Sequence, residues 1–207
     1  MKPGRWFLIS ARPFARAVEV TEAAQSTGVE PLFIDGRKGL GASMDHAFSW
    51  HPELEFYGWL ADDTFPETAG WDRALSEAAG EWNLAYADDG GYLSLGSGSR
   101  DGGELTSGLC WGGELVRAAG SWSLGFDSAW LDMAWLELCR PLGLLRYVPE
   151  VTVRHDQWRT GRREKDELDE AAERAIERDR AKFYAWQQYE LPKIKRRVEE
   201  RMATCVS

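Results

Sequence analysis

Cysteine is scarce in this chain. Cys110, Cys139 and Cys205 are three in 207 residues, odd in number and far apart. That pattern excludes a disulfide framework and suits a reducing compartment. No apolar run approaches the roughly 20 residues that a membrane span needs. The opening MKPGRWFLIS has too short an apolar core for a secretory leader and lacks a small-residue cleavage pattern, so none is expected. Excess positive charge is also missing. The formal net charge is −9, which argues against non-specific nucleic-acid binding by the whole surface. Finally, no G-x-G-x-x-G opens a helix after a strand. The run 88–104, DDGGYLSLGSGSRDGGE, reads as a loop or irregular hairpin, so a dinucleotide fold is not expected.

What is present is an ordinary soluble composition, 43% hydrophobic and 29% charged, with an unusual 11 tryptophans. The length suits one good-sized domain with a small appendage. Charge is divided unevenly. Residues 151–207 hold 14 Lys and Arg against 12 Asp and Glu, whereas residues 1–150 hold 11 against 22.

The first 90 residues alternate in period. RWFLIS, EPLFIDG, FYGWL and WNLAYA read as strands. Between them RPFARAVEVTEAAQSTG, GASMDHAFSW and ETAGWDRALSEAAG read as helices, the last with Trp71, Leu75 and Ala78 on one face and Gly80 at its end. Such alternation predicts an α/β fold with a largely parallel sheet covered on both faces. Further on, LTSGLCW reads as a strand and GGELVRAAG as a short helix closed by Gly120. WLDMAWLELCRPLG reads as a helix and LLRYVPEVTVRH as one or two short strands. From about Arg162 to Arg201 helix formers dominate, with Leu168, Ala172, Ala175, Ile176 and Phe183 on one stripe and Pro192 dividing two helices.

The run FYGWL stops at two adjacent carboxylates, Asp62 and Asp63. Paired like charges leaving a buried strand repel each other and resist desolvation. A divalent cation relieves both, and hard cations take oxygen ligands. In open α/β sheets ligands sit beyond the carboxyl ends of strands, where this pair falls. The competing reading is a solvated turn with Asp63 capping the next segment.

Two longer motifs bear on that choice. WLADDTFPETAGWDRAL and DMAWLELCRPLGLLRYVPEVTVRHDQW, in this order and spacing, resemble GT-A fold glycosyltransferases, specifically family 2-like enzymes of the kind found in phages. The likeness runs over about residues 5–158. It implies a GT-A-like, mostly parallel sheet flanked by helices in a catalytic domain 1–160. The nucleotide-sugar half would be about 1–90 and the acceptor half about 91–160, with a packed helical extension over 161–207. It further implies transfer of a sugar from a nucleotide-diphosphate donor, a UDP-sugar first, with Mn²⁺ or Mg²⁺ on the diphosphate and inversion at the sugar. Asp63 becomes the expected metal ligand, His155 a ligand to the metal or a contact to the diphosphate, and Asp62 a contact to the ribose; the alternative for His155 is a strand-end histidine hydrogen-bonded to backbone. Arg12, Arg37 and Lys38 become phosphate or nucleotide contacts, and Asp132 the general base. The alternative for Asp132 is a helix cap. Trp122 is a candidate for the donor-sugar or acceptor site, with core packing as the alternative. Two positions depart from the pattern: Thr64 stands where relatives carry a third acid, and Asp45 where an Asn is frequent.

The acceptor stays open at this point. Lys193, Lys195, Arg196 and Arg197 follow Phe183, Tyr184 and Trp186 closely. Cations beside aromatics suit a nucleic acid, so a hydroxymethylated base in phage DNA is one expectation. A protein, surface glycan or small molecule is the other, and the tail is then an amphipathic packing element. The setting implied is cytoplasmic, the host cytoplasm for a phage enzyme. A nucleotide-sugar-binding protein without catalysis, suggested by Thr64, is a different class of function. A nucleotidyltransferase is disfavoured by the glycine-poor SARPFAR after the first strand.

Overall fold

The computed structural model describes residues 7–10, 30–33, 39–60, 64–88, 109–126, 130–156 and 164–205. Strands β1 (Phe7–Ser10) and β2 (Glu30–Phe33) pair in parallel. A second sheet holds β3 (Phe56–Trp59), β4 (Thr64–Pro66), β5 (Leu84–Asp88), β6 (Leu109–Gly112) and β7 (Leu145–His155), in the spatial order β3-β6-β5-β7-β4. The helices among the described residues are α1 (Gly39–Trp50), α2 (Trp71–Ala79), α3 (Gly113–Ala119), α4 (Leu131–Cys139), α5 (Glu167–Tyr189) and α6 (Leu191–Cys205). The fold is therefore α/β.

The sheet is mixed and curled rather than mostly parallel. Of its pairings only β5–β7 is parallel; β3–β6, β5–β6 and β4–β7 are antiparallel. Periodicity marks a strand but carries no information on its direction, which is why the sequence pattern did not separate these cases. The three-residue β4 is also too short to produce a periodic signal.

Side chains of β5 and β6 alternate between two cores, as the two-residue repeat of a strand requires. Leu84, Tyr86, Leu109 and Trp111 enter a large core with α1, α3, α4, α5 and α6. Ala85, Ala87 and Cys110 enter a smaller one with Val148, Val151 and Val153 of β7 and Leu75 and Ala79 of α2. β3 is less enclosed than expected: Tyr57 is buried, but Gly58 is exposed and Phe56 and Trp59 are half-buried.

β7 runs unbroken through Pro149, and the reason is visible in its partners. Proline has no N–H to donate, and in sheets it collects at edges and bulges. Here Ala87 pairs with Val148 but Asp88 pairs with Thr152, so the ladder to β5 skips the residues around Pro149. Beyond the bulge β7 is held by β4 instead, and Glu67 N–H to Thr152 O (2.9 Å) extends that ladder.

Helices α5 and α6, expected as an extension, contribute Phe183, Trp186, Ile194 and Val198 to the large core. Arg201 of α6 pairs with Glu114 of α3 at 3.0 Å. Arg117 joins Glu114 to the carbonyls of Pro52 and Leu54. Burial pushes the Glu114 pKa up, but the hydrogen bonds from Arg117 and Arg201 outweigh it and leave the carboxyl below its ordinary value.

The Gly112–Gly113 pair is dictated by crowding. Gly112 N–H donates to Asn83 O (2.9 Å) and Gly113 N–H to Glu55 O (2.7 Å). A Cβ at Gly112 would fall on the Glu81 carbonyl, and one at Gly113 on the Leu54 carbonyl. Gly113→Ala is expected to destabilise the fold by about 1–3 kcal/mol or more, the usual cost of overpacking. Urea unfolding measures this; an unchanged midpoint would mean that the backbone gives way without cost.

Candidate functional site

Strand directions define one edge of the sheet. β3 and β5 both run antiparallel to β6, so they run with each other, and β7 is parallel to β5. The carboxyl ends of all three strands therefore share an edge. β3 ends at Trp59, three residues before Asp62. β5 ends at Asp88 and β7 at His155. Strand β4 comes back antiparallel from that edge, and its first residue Thr64 lies directly opposite His155. Both are buried, Thr64 at 6% and His155 at 7% exposure. Asp62 and Asp63 lie outside the described residues, as do Arg12, Arg37 and Lys38. What the register brings together is thus His155 and the residue that follows Asp63.

Asp88 joins this edge and was missed by sequence reasoning, which assigned it to the start of a loop. Tyr147 O–H donates to its Oδ2 at 2.8 Å. Only the pairing of β5 with β7 brings that hydroxyl to it. Among the described residues no group of three His, Cys, Asp or Glu side chains is arranged to hold a metal ion. Asp88 and His155, which end β5 and β7 at this edge, are residue types that hard or borderline divalent cations accept.

Asp132 lies on a different element, in the first turn of α4. It is not the helix cap. That position belongs to Trp130, whose backbone is left-handed at φ 69° and ψ 0° and whose side chain does not cap the helix. Asp132 Oδ1 accepts the N–H of Met133 at 2.8 Å. By exposure Asp132 is half-buried. Burial raises the pKa, and the backbone N–H groups of Met133 and Asp132 only partly oppose it. A carboxylate kept more basic than usual is suited to accept a proton.

The left-handed backbone at Trp130 costs on the order of 1–3 kcal/mol for a bulky residue. Two contacts from α5 offset it. The indole N–H donates to Ile176 O at 2.9 Å, and the ring stacks on Phe183 with centroids 4.6 Å apart.

Trp122 is a core residue. Its ring is 5% exposed and packs against Tyr57 and Trp111 at 5.2 and 5.7 Å. Its carbonyl accepts the indole N–H of Trp135. A ring so enclosed offers no face to a sugar, and the packing alternative is the one observed. The loop around it is organised by Asp45. That carboxylate accepts the N–H groups of Trp122 (2.8 Å) and Ser123 (2.9 Å) and the hydroxyls of Ser121 and Ser123. Asp45 thus binds the protein's own loop, an anchoring role the sequence reading did not find. An open cleft of about 350 Å³ lies beside it, lined in part by Asp45, Ser123, Phe126, Arg178, Asp179 and Lys182.

The tail cations are largely engaged. Lys193 pairs with Glu190 (2.9 Å) and Arg196 with Glu200 (3.8 Å). Arg197 donates to Ala119 O at 2.6 Å, at the end of α3. No partner is seen for Lys195 among the described residues.

No family model matches the sequence, and no curated protein matches it. The functional reading therefore rests on this geometry and on the motif resemblance. No described helix is long and apolar enough to cross a membrane.

Burial of Asp132 has a consequence for stability. Its pKa is higher folded than unfolded, so ionisation works against the fold. The penalty is absent below the unfolded pKa and grows as pH rises through the folded one. Asp132→Asn keeps the shape and the acceptor for Met133 N–H while removing the charge. It is expected to melt above the wild type near neutral pH, with the gap closing toward the ordinary carboxylate range, about pH 4. Thermal melts across a pH series measure this, and identical curves at every pH would contradict it.

Proposed function

We propose that this chain is a metal-dependent glycosyltransferase of GT-A-like fold. It would move a sugar from a nucleotide-diphosphate donor to an acceptor hydroxyl, with inversion. The observation that carries the reading is the shared edge: the carboxyl ends of β3, β5 and β7 converge there, with His155 opposite the residue after Asp63. That edge of an α/β sheet is where ligands bind. The motif resemblance supplies the reaction class.

In this reading Asp63 and His155 hold Mn²⁺ or Mg²⁺, and Asp62 holds the donor ribose. Arg12, Arg37 and Lys38 meet the nucleotide and its phosphates. When bound, the cation supplies Lewis-acid neutralisation of the departing diphosphate. Asp132 accepts the acceptor's hydroxyl proton as that oxygen bonds to the anomeric carbon. The bond from that carbon to the phosphate oxygen breaks, and its electron pair leaves with the nucleotide diphosphate. Desolvation of Asp132 supports this role by raising its basicity.

Thermal-shift screening of nucleotide sugars, with and without Mn²⁺, identifies the donor, UDP-sugars being the first choice. Asp63→Ala should then remain folded and lose metal-dependent donor binding by calorimetry. Asp132→Asn should bind donor normally and transfer about 10²–10⁴-fold more slowly. Metal-dependent affinity unchanged in Asp63→Ala removes it as a ligand. Normal turnover in Asp132→Asn removes it as the base.

A hydroxymethylated DNA base remains one acceptor, on the strength of KIKRR alone. The ion pairs of Lys193 and Arg196 and the α3 contact of Arg197 favour a second reading, in which the tail packs and the acceptor is a glycan, protein or small molecule. Neutralising Lys193, Lys195, Arg196 and Arg197 together separates the two. A DNA grip predicts weaker binding and a log–log salt slope flatter by about 0.9 per lost phosphate contact. The second reading predicts that both quantities stay as they are.

A further inference from the structure

We infer that Trp130 is a positioning residue for Asp132, and that helix α5 is the element that holds it there. The inference rests on the glycosyltransferase reading only for what Asp132 does, not for how it is held.

Trp130 is the residue at the N-cap of α4. Its carbonyl accepts Ala134 N–H at 2.8 Å, which closes the first helical turn around Asp132. Its backbone lies at φ 69°, a conformation that a bulky side chain keeps only where its surroundings enforce it. The ring packs against the large core, and its hydrogen bond and its ring stack both come from α5. Ile176 O takes the indole N–H, and Phe183 stacks on the ring at an interplanar angle of 21°. Asp132 follows two residues later, so any release of Trp130 moves the carboxylate.

The same helix grips the other side of the turn. Lys182 donates to Gly125 O at 2.7 Å, and its ammonium lies 5.4 Å from the centre of the Phe126 ring. Phe126 in turn packs on Phe183 and Trp186 with centroids 5.9 and 5.5 Å apart. One turn of α5, around Lys182 to Trp186, thus fixes the chain at Phe126 and again at Trp130. Asp45 anchors it further back at Ser121 to Ser123. The chain leading to Asp132 is clamped at each described point, and two of the three clamps belong to the tail. A general base needs this: displacement of about 1 Å costs about 10²-fold in rate. The tail is thereby given a role inside the site that requires no nucleic acid.

The test uses the full chain with ¹³C-carboxyl aspartate, the Asp132 signal being assigned by its loss in Asp132→Asn. Trp130→Phe removes the N–H donated to Ile176 together with one ring of the indole, and Phe183→Leu deletes the stack. In both, the Asp132 titration is expected to fall from its raised position toward that of an ordinary carboxylate as water reaches the loosened turn. Tyr184→Ala, on the 58% exposed side of the same helix, is expected to leave it unchanged. A fall in both variants, with melting temperatures close to wild type, supports positioning. A wild-type titration in folded Trp130→Phe overturns it, and that variant decides alone if Phe183→Leu does not fold. Once a donor is known, the same variants should slow transfer and leave donor affinity intact. Should Asp132→Asn transfer normally while these titrations move, the base assignment fails and the positioning stands.

Discussion

Strand β5 has almost no side toward water, and the rest of the molecule is arranged around that constraint. Leu84 and Tyr86 go to one core, Ala85 and Ala87 to the other, and all four are buried. A strand enclosed on both faces must be hydrogen-bonded on both edges as well, because an unpaired buried amide is costly. Antiparallel β6 and parallel β7 fill those edges. Once they do, the directions of β3 and β7 are fixed relative to β5, and three carboxyl ends meet at one edge. The candidate site is a consequence of how the core strand is satisfied.

Asp45 and Asp132 show how environment divides one residue type. Asp45 is surrounded by donors, two backbone N–H groups and two hydroxyls, and serves as an anchor. Asp132 has backbone N–H groups alone, too few to balance its burial, and its pKa is raised. The first arrangement ties its carboxylate to the loop; in the second, burial outweighs the hydrogen bonds. Proteins commonly accept lower stability at such a position in exchange for reactivity.

The helical tail illustrates the limit of a charge pattern. KIKRR reads as a basic patch along the chain, but Ile194 of that same stretch is buried in the main core and Arg197 satisfies the end of α3. Phe183, expected on the apolar stripe, proved to have a more specific contact in its stack on Trp130.

The sequence by itself determined the elements with strong local signals. Helix α2 was legible from Trp71, Leu75 and Ala78, helix α3 from the left-handed Gly120 that ends it, and β5 from its unbroken apolar run. Those signals depend on spacing along the chain, which is local. Direction of pairing, the bulge at Pro149, the register of Thr64 with His155 and the enclosure of Trp122 are contacts between residues far apart in sequence. No periodicity encodes them, and the tertiary structure alone decided them. Asp132 falls between the two: its place at a helix start was written in the sequence, while the left-handed tryptophan before it is held by contacts from α5 that only the tertiary structure supplies.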